Sequence, residues 1–397
     1  MTSSPQEILL VSSPDGPIMA YNASTGTTLT HFSGSHCPRR GLAHVGKTMI
    51  AASHISPATA SASICLYNWW SSTAFYHLPM PEPVAPITTT ADGSFLFAGG
   101  ISGHIHALSL PSGDLLRSLP IHRKPVTCLT INDDGSLLIS GGDDGLITVL
   151  PVLQLLDVND STQSTFHQIS AHSLSITAII SGVGGYNSTT VSCSLDCTCK
   201  FWNLANGTQL RTIQFPCPIW SVTMDPIDWV FYAGGSNGQV HVGALKVNRR
   251  KQSSRDEAEV VALSQEHCGA VTGLVITNEG RNLVTASEDG VIWVWEMTSR
   301  KVVRVLGKEL TSVSDLMLAK GVGGSGGVHS AVEWGHSGLG FAGREICRPL
   351  REKKDMEKWL AVVEQDRKRA MDVLEGAFGT YGKLLTLFLK EVKGMKK

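Results

Sequence analysis

One short pattern recurs along this chain and constrains its fold more than any other feature. A turn residue is followed by a small residue, any residue, an apolar residue, any residue and a second apolar residue. It reads Asp15-Gly16-Pro17-Ile18-Met19-Ala20, then Ser61-Ala62-Ser63-Ile64-Cys65-Leu66, then Ser102-Gly103-His104-Ile105-His106-Ala107. It returns as Asp144-Gly145-Leu146-Ile147-Thr148-Val149 and Asp196-Cys197-Thr198-Cys199-Lys200-Phe201. The last two copies are Asn237-Gly238-Gln239-Val240-His241-Val242 and Asp289-Gly290-Val291-Ile292-Trp293-Val294. Successive copies lie 41 to 52 residues apart.

Each copy follows a short strand ending in small residues, such as Leu137 to Gly142 or Asn282 to Ser287. Asp-Gly and Asn-Gly supply the positive φ of a tight hairpin turn. The alternating apolar positions form the next strand. The 40 glycines among 397 residues fit a chain with many such turns. Seven units of this length, each with room for four strands, predict a β-propeller. A single four-stranded sheet cannot bury both faces, whereas radial stacking buries each against its neighbours. The expected class is all-β: a seven-bladed β-propeller over residues 1–320.

Three units open alike, at His122 to Thr127, His172 to Thr177 and His267 to Thr272. With the turns and alternating strands, these openings make the chain resemble the WD-repeat family. That resemblance implies a hydrogen-bonded tetrad in each complete unit, of an opening His, a strand Ser or Thr, the turn Asp and a strand Trp. By position these are His172, Ser192, Asp196 and Trp202 in the fifth unit, and His267, Thr285, Asp289 and Trp295 in the seventh. The fourth unit has His122, Ser140 and Asp144, with Leu150 in place of Trp. The other units lack most of the set, and no Trp-Asp dipeptide occurs. A His, a Ser and an Asp in one unit also compose a hydrolase triad. Recurrence in several units is what a structural device shows, so no catalytic residue is expected.

The first unit begins almost at once with Glu7 to Val11 and has no strand before its second one. A spare strand-like run, about 311–318, follows the seventh unit. It is expected to pair into the first blade and close the ring.

Two intervals are lengthened. Between the fourth and fifth copies lies Pro151-Val152-Leu153-Gln154-Leu155-Leu156-Asp157. Proline followed by close leucines predicts a helical turn on the rim. Leu153, Leu155 and Leu156 make it either a docking knob for a partner or a tolerated surface insertion. Between the sixth and seventh copies lies a charged loop with Arg249-Arg250-Lys251. It reads as a solvated loop, with phosphate contact or a nuclear signal as the alternative.

Composition changes after the ring. Residues 321–343 hold nine glycines and read as a linker. Residues 344–397 hold 14 Lys and Arg against nine Asp and Glu. From 352 to 375 there is no Gly or Pro. Met356, Trp359, Val363, Ala370 and Leu374 recur at helical spacing and predict a basic amphipathic C-terminal α-helical extension. Such a stripe needs a cover. Association with a partner or a second copy, including a coiled-coil seam, is favoured over packing on the propeller. RNA contact by its basic residues is the weaker alternative.

Several chemistries lack their residues. No phosphate-binding Gly-x-x-x-x-Gly-Lys loop or dinucleotide fingerprint appears, so no cofactor is expected. Cys193, Cys197 and Cys199 lie close, but C-x3-C-x-C without a second ligand pair does not predict a metal site. The net charge of -1 does not mark a nucleic-acid binder. No run of 18 apolar residues predicts a membrane helix. The first residues lack a secretory basic region, and the nine cysteines read as reduced thiols of the cytosol or nucleus.

The architecture, the leucine-rich insertion and the run Arg348-Pro-Leu-Arg-Glu-Lys-Lys narrow the resemblance. The chain resembles the WD-repeat subunit of the late large-ribosomal-subunit assembly complex, whose plant members are of the ROOT INITIATION DEFECTIVE type. That implies a non-catalytic nuclear scaffold in the nucleolus and nucleoplasm, supporting removal of the second internal transcribed spacer from pre-rRNA. Implied partners are helical-repeat scaffold subunits and a midasin-type AAA ATPase, with the C-terminal helix serving dimerisation and docking. Some members of that family are linked to replication licensing on chromatin. A second hypothesis is a substrate receptor of a cullin-type ubiquitin ligase. Such receptors carry Trp-Asp-x-Arg after a blade strand, and Trp295-Glu-Met-Thr-Ser-Arg300 does not match it.

Overall fold

The computed structural model describes residues 7–56, 61–110, 112–156, 165–225, 230–245, 260–307 and 310–320. The expected linker 321–343, the tail 344–397 with its stripe from Met356 to Leu374, and Arg249 to Lys251 lie outside the described residues.

Seven four-stranded antiparallel sheets form the ring. Blades 2 to 7 each run in chain order from the innermost strand outwards. Their innermost strands are Leu42–Val45, Val84–Thr89, Val126–Ile131, Ile176–Ser181, Ile219–Met224 and Val271–Thr277. Blade 1 differs. Its innermost strand is Asp315–Lys320, paired antiparallel with Glu7–Ser12 so that Ile8 meets Ala319 and Val11 meets Leu316. Thr311 to Ser314 form the lead-in, tied by the Ser314 N–H to the Ser12 carbonyl at 2.9 Å. The two Ser hydroxyls are also 2.8 Å apart.

The core is divided. Separate apolar clusters fill the spaces between neighbouring sheets, one around Phe201 and Phe231 between blades 5 and 6, another around Leu283 and Trp295 between blades 6 and 7. This follows from alternation: each strand sends side chains to both faces, and each face meets another blade. Between the innermost and second strands of blades 4 to 7 the register shifts after the first pair. The shift leaves Thr127, Thr177, Trp220 and Thr272 as the extra residues, re-aimed as a bulge does. Thr272 then reaches the Val313 carbonyl at 3.1 Å, tying blade 7 to the lead-in of the closing strand.

The insertion after blade 4's third strand forms a helical turn, Val152–Leu156. Val152 and Leu155 are buried in the cluster between blades 3 and 4, and Leu156 is half-buried against it. Only Leu153 of the three expected docking leucines presents its side chain, at 67% exposure. Positions two apart lie on roughly opposite sides of a helical turn, so with Leu155 in the core Leu153 faces outward. Among the described residues no helix is long and apolar enough to cross a membrane.

Candidate functional site

The polar side chains that the repeat singles out meet in blades 4, 5 and 7, where the outer strand of the preceding blade crosses to the innermost strand. In blade 5, His172 Nε2 lies 2.8 Å from Ser192 Oγ, and its Nδ1 lies 3.0 Å from Asp196 Oδ2. The Trp202 indole N–H donates to the same Ser192 oxygen at 2.9 Å. Asp196 also accepts the Ser173 and Thr198 N–H groups, at 3.2 and 3.0 Å. One carboxylate thereby holds the strand entry and the hairpin turn together.

Blade 7 differs in one contact. His267 Nε2 is 2.8 Å from Thr285 Oγ1, which also accepts the Trp295 indole N–H at 3.1 Å. His267 Nδ1 stands 3.7 Å from Asp289 Oδ2, too far for a hydrogen bond. The Trp293 ring stacks on the imidazole at 3.9 Å between centroids. In blade 4, His122 bridges Ser140 at 2.8 Å and Asp144 at 3.1 Å. Leu150 is buried where an indole stands in blades 5 and 7, and Ser140 Oγ donates instead to the Thr148 carbonyl at 3.3 Å.

Burial sets the protonation of these groups. It lowers the pKa of His122 and His172, with the nearby Asp144 and Asp196 opposing it. His267 is pushed down to about 4 by burial, again against the pull of its aspartate. Burial works against ionisation of Asp196, but the Thr198 hydroxyl and His172 outweigh it and lower its pKa. The chemical state is therefore a neutral imidazole between a hydroxyl and a carboxylate. Ser140, Ser192 and Thr285 are fully buried, so no substrate reaches these hydroxyls.

Spacing alone missed three arrangements. In blade 3, Glu82 accepts from the Ser102 N–H at 2.8 Å and the Ser102 hydroxyl at 2.7 Å, and lies 2.8 Å from His106 Nε2. Its only sequence signal is Ser102 standing at the turn-aspartate position. In blade 6, the Cys217 thiol donates to Asn237 Oδ1 at 3.2 Å. The third arrangement joins the segment leading into blade 2 to blades 1, 6 and 7. Arg40, with φ of 59°, reaches the Trp220 carbonyl of blade 6 at 3.4 Å. Arg39 pairs with Glu288 of blade 7 at 3.0 Å, and its guanidinium lies 4.0 Å over the Trp220 ring. Asp315, opening the closing strand, accepts the Leu42 N–H at 3.1 Å. Burial raises the Asp315 pKa, and Arg40 opposes the rise. A cleft of about 350 Å³ beside them is lined by Pro14, Pro38, Arg39, Glu288 and Ser312 to Ser314.

Among the described residues no group of three or more His, Cys, Asp and Glu is placed to hold a metal ion.

Comparison with known proteins agrees with this architecture. The WD domain, G-beta repeat model matches residues 113–149, 163–203 and 259–296, the stretches that contain the histidine sets of blades 4, 5 and 7. Protein ROOT INITIATION DEFECTIVE 3 of Arabidopsis thaliana is 32% identical over 75% of this chain and 68% of its own length. WD repeat-containing protein 18 of Rattus norvegicus is 28% identical over 77% of this chain and 71% of its own. Pre-rRNA-processing protein crb3/ipi3 of Schizosaccharomyces pombe is 24% identical over 75% and 73%. The chain belongs to the WD-repeat family of Protein ROOT INITIATION DEFECTIVE 3.

Proposed function

We propose that this chain is a non-catalytic scaffold subunit in large-ribosomal-subunit biogenesis, acting in the nucleus and nucleolus in a complex that processes pre-rRNA. The observation that carries this reading is membership of a family in which relatives bear the name pre-rRNA-processing protein. The buried histidine sets support it, because they stitch strand entries to hairpin turns and are closed to substrate. In this reading they are structural, each hydrogen bond contributing about 1 kcal/mol net.

The finer steps belong to the same proposal. The complex removes the second internal transcribed spacer, and its other subunits are helical-repeat scaffolds and a midasin-type AAA ATPase. The amphipathic stripe of Met356, Trp359, Val363, Ala370 and Leu374 joins the chain to a second copy or to those subunits. Leu153 on the rim of blade 4 supplies an apolar contact.

The test is depletion of the chain, followed by hybridisation for precursors that retain the spacer. Their accumulation is expected, and a normal precursor profile sinks the reading. Purification of the tagged chain from nuclei, with and without residues 344–397, then resolves the partners. Pre-ribosomal proteins should be lost on truncation. Recovery of a cullin and its adaptor would instead make the chain a ubiquitin-ligase receptor.

A further inference from the structure

Cys193 and Cys199 sit at directly paired positions on the central hairpin of blade 5, on strands Thr189–Ser194 and Thr198–Asn203. Their Sγ atoms are 2.7 Å apart. That is inside van der Waals contact, and less than ~1 Å beyond a disulfide bond of about 2.05 Å. Directly opposed residues of antiparallel strands hold their Cα atoms about 4.5–5.5 Å apart, within the range that a disulfide spans. The backbone therefore already has the spacing that a cross-link requires.

We propose that Cys193 and Cys199 form an oxidation site, a cross-strand dithiol that a hydroperoxide converts to a disulfide. One thiol gives up its proton and attacks a peroxide oxygen as the thiolate, breaking the O–O bond to give a sulfenic acid. The leaving hydroxide takes that proton and departs as water, or as an alcohol from an organic hydroperoxide. The second sulfur attacks the sulfenyl sulfur, the S–S bond forms and a second water leaves. Two thiols lose two electrons in all, and the peroxide accepts them.

Access governs the rate. Both side chains are fully buried, and burial, then the neighbouring Cys193, keeps the Cys199 thiol protonated. The first step waits on opening of the turn between them, where Cys197 holds a left-handed φ of 64°. That turn carries Asp196, which bonds His172. The cross-link thus staples the hairpin end that anchors the blade 5 set. Exposed Cys268 reports the dose of oxidant reaching the protein.

The experiment treats the folded full-length chain with hydrogen peroxide, then denatures, alkylates and maps it by mass spectrometry without reduction. Cys193 and Cys199 are expected to escape alkylation together, with their peptide about 2 Da lighter. Dithiothreitol should reverse the change, and mild urea should speed it. Cys199→Ser should leave Cys193 open to alkylation; if that variant does not fold, the map of the unaltered chain decides alone. The proposal is overturned if both thiols stay alkylatable, with and without urea, at a dose that consumes Cys268. It is equally overturned if Cys193 forms only sulfinic acid or cross-links to a different cysteine.

Discussion

Blades 5 and 6 lie side by side and solve one packing problem with different residues. In blade 5 the Trp202 indole fills the space beside the second strand and donates to Ser192. In blade 6, Gly243 holds the corresponding place on the third strand, paired with Phe231. The Phe231 ring takes the volume, and any Cβ on Gly243 would collide with it. Ala233 stands for Ser192 and Asn237 for Asp196; Asn237 still accepts the N–H two residues on, from Gln239, but a Cys217 thiol takes the place of the histidine. Both sheets bury their faces in the cluster they share. Apolar filling is therefore required of every blade, while the histidine set is one of several ways to fasten a strand entry.

The largest break should come from Trp295→Ala in blade 7, where the indole is fully buried. Loss of a buried Trp leaves a cavity and costs about 3–5 kcal/mol, read by urea unfolding. A cost below that of the polar variants would reverse the ranking of filling over hydrogen bonding. Gly243→Ala should cost about 1–3 kcal/mol through overpacking against Phe231. A neutral result would mean that the ring does not occupy that space. Ser192→Ala leaves the Trp202 N–H without its acceptor and His172 Nε2 without its hydroxyl donor, and should cost about 1–3 kcal/mol. Ala233 does the same job in blade 6 because no histidine depends on it.

A pH series sharpens the contrast. The unfolded His267 takes up its proton near pH 6.5, whereas burial delays this to about 4 in the fold. Between those values the unfolded chain binds more protons, so stability present above about pH 6.5 falls as pH drops towards 4 and then levels. His122 and His172 shift the same way. The melting temperature should follow this course, and His267→Gln should flatten it; an unchanged slope would remove His267 from the account. Smallest of all, Leu153→Ser at the exposed rim should change stability by no more than about 0.5 kcal/mol. It should nevertheless weaken recovery of partner proteins; full recovery would leave the turn a tolerated insertion.

What was legible in the sequence is what local spacing encodes. Hairpin turns followed by alternating apolar residues marked all seven sheets. A His four residues before an inner strand marked blades 4, 5 and 7. Glu82 stayed hidden because it lies only two residues before its strand, where a second geometry reaches the turn. Arg40 and Trp220 meet across the ring, and Arg39 and Glu288 meet over blade 1. Those meetings depend on ring curvature, which no local interval reports. The leucine turn was visible as an insertion, but which leucine faces outward depends on blade 3 beside it.

The strand that completes blade 1 imposes an order in time. Ile8 finds Ala319 only after nearly the whole ring has been translated. At about 5–20 residues per second this means a delay of roughly 15–60 s after Ile8 is made. Until then the first sheet carries an unfilled edge, the template on which strands of other molecules pair. A newborn chain of this kind needs a chaperone until Asp315 to Lys320 have emerged, and a stop codon before Asp315 would leave it permanently sticky.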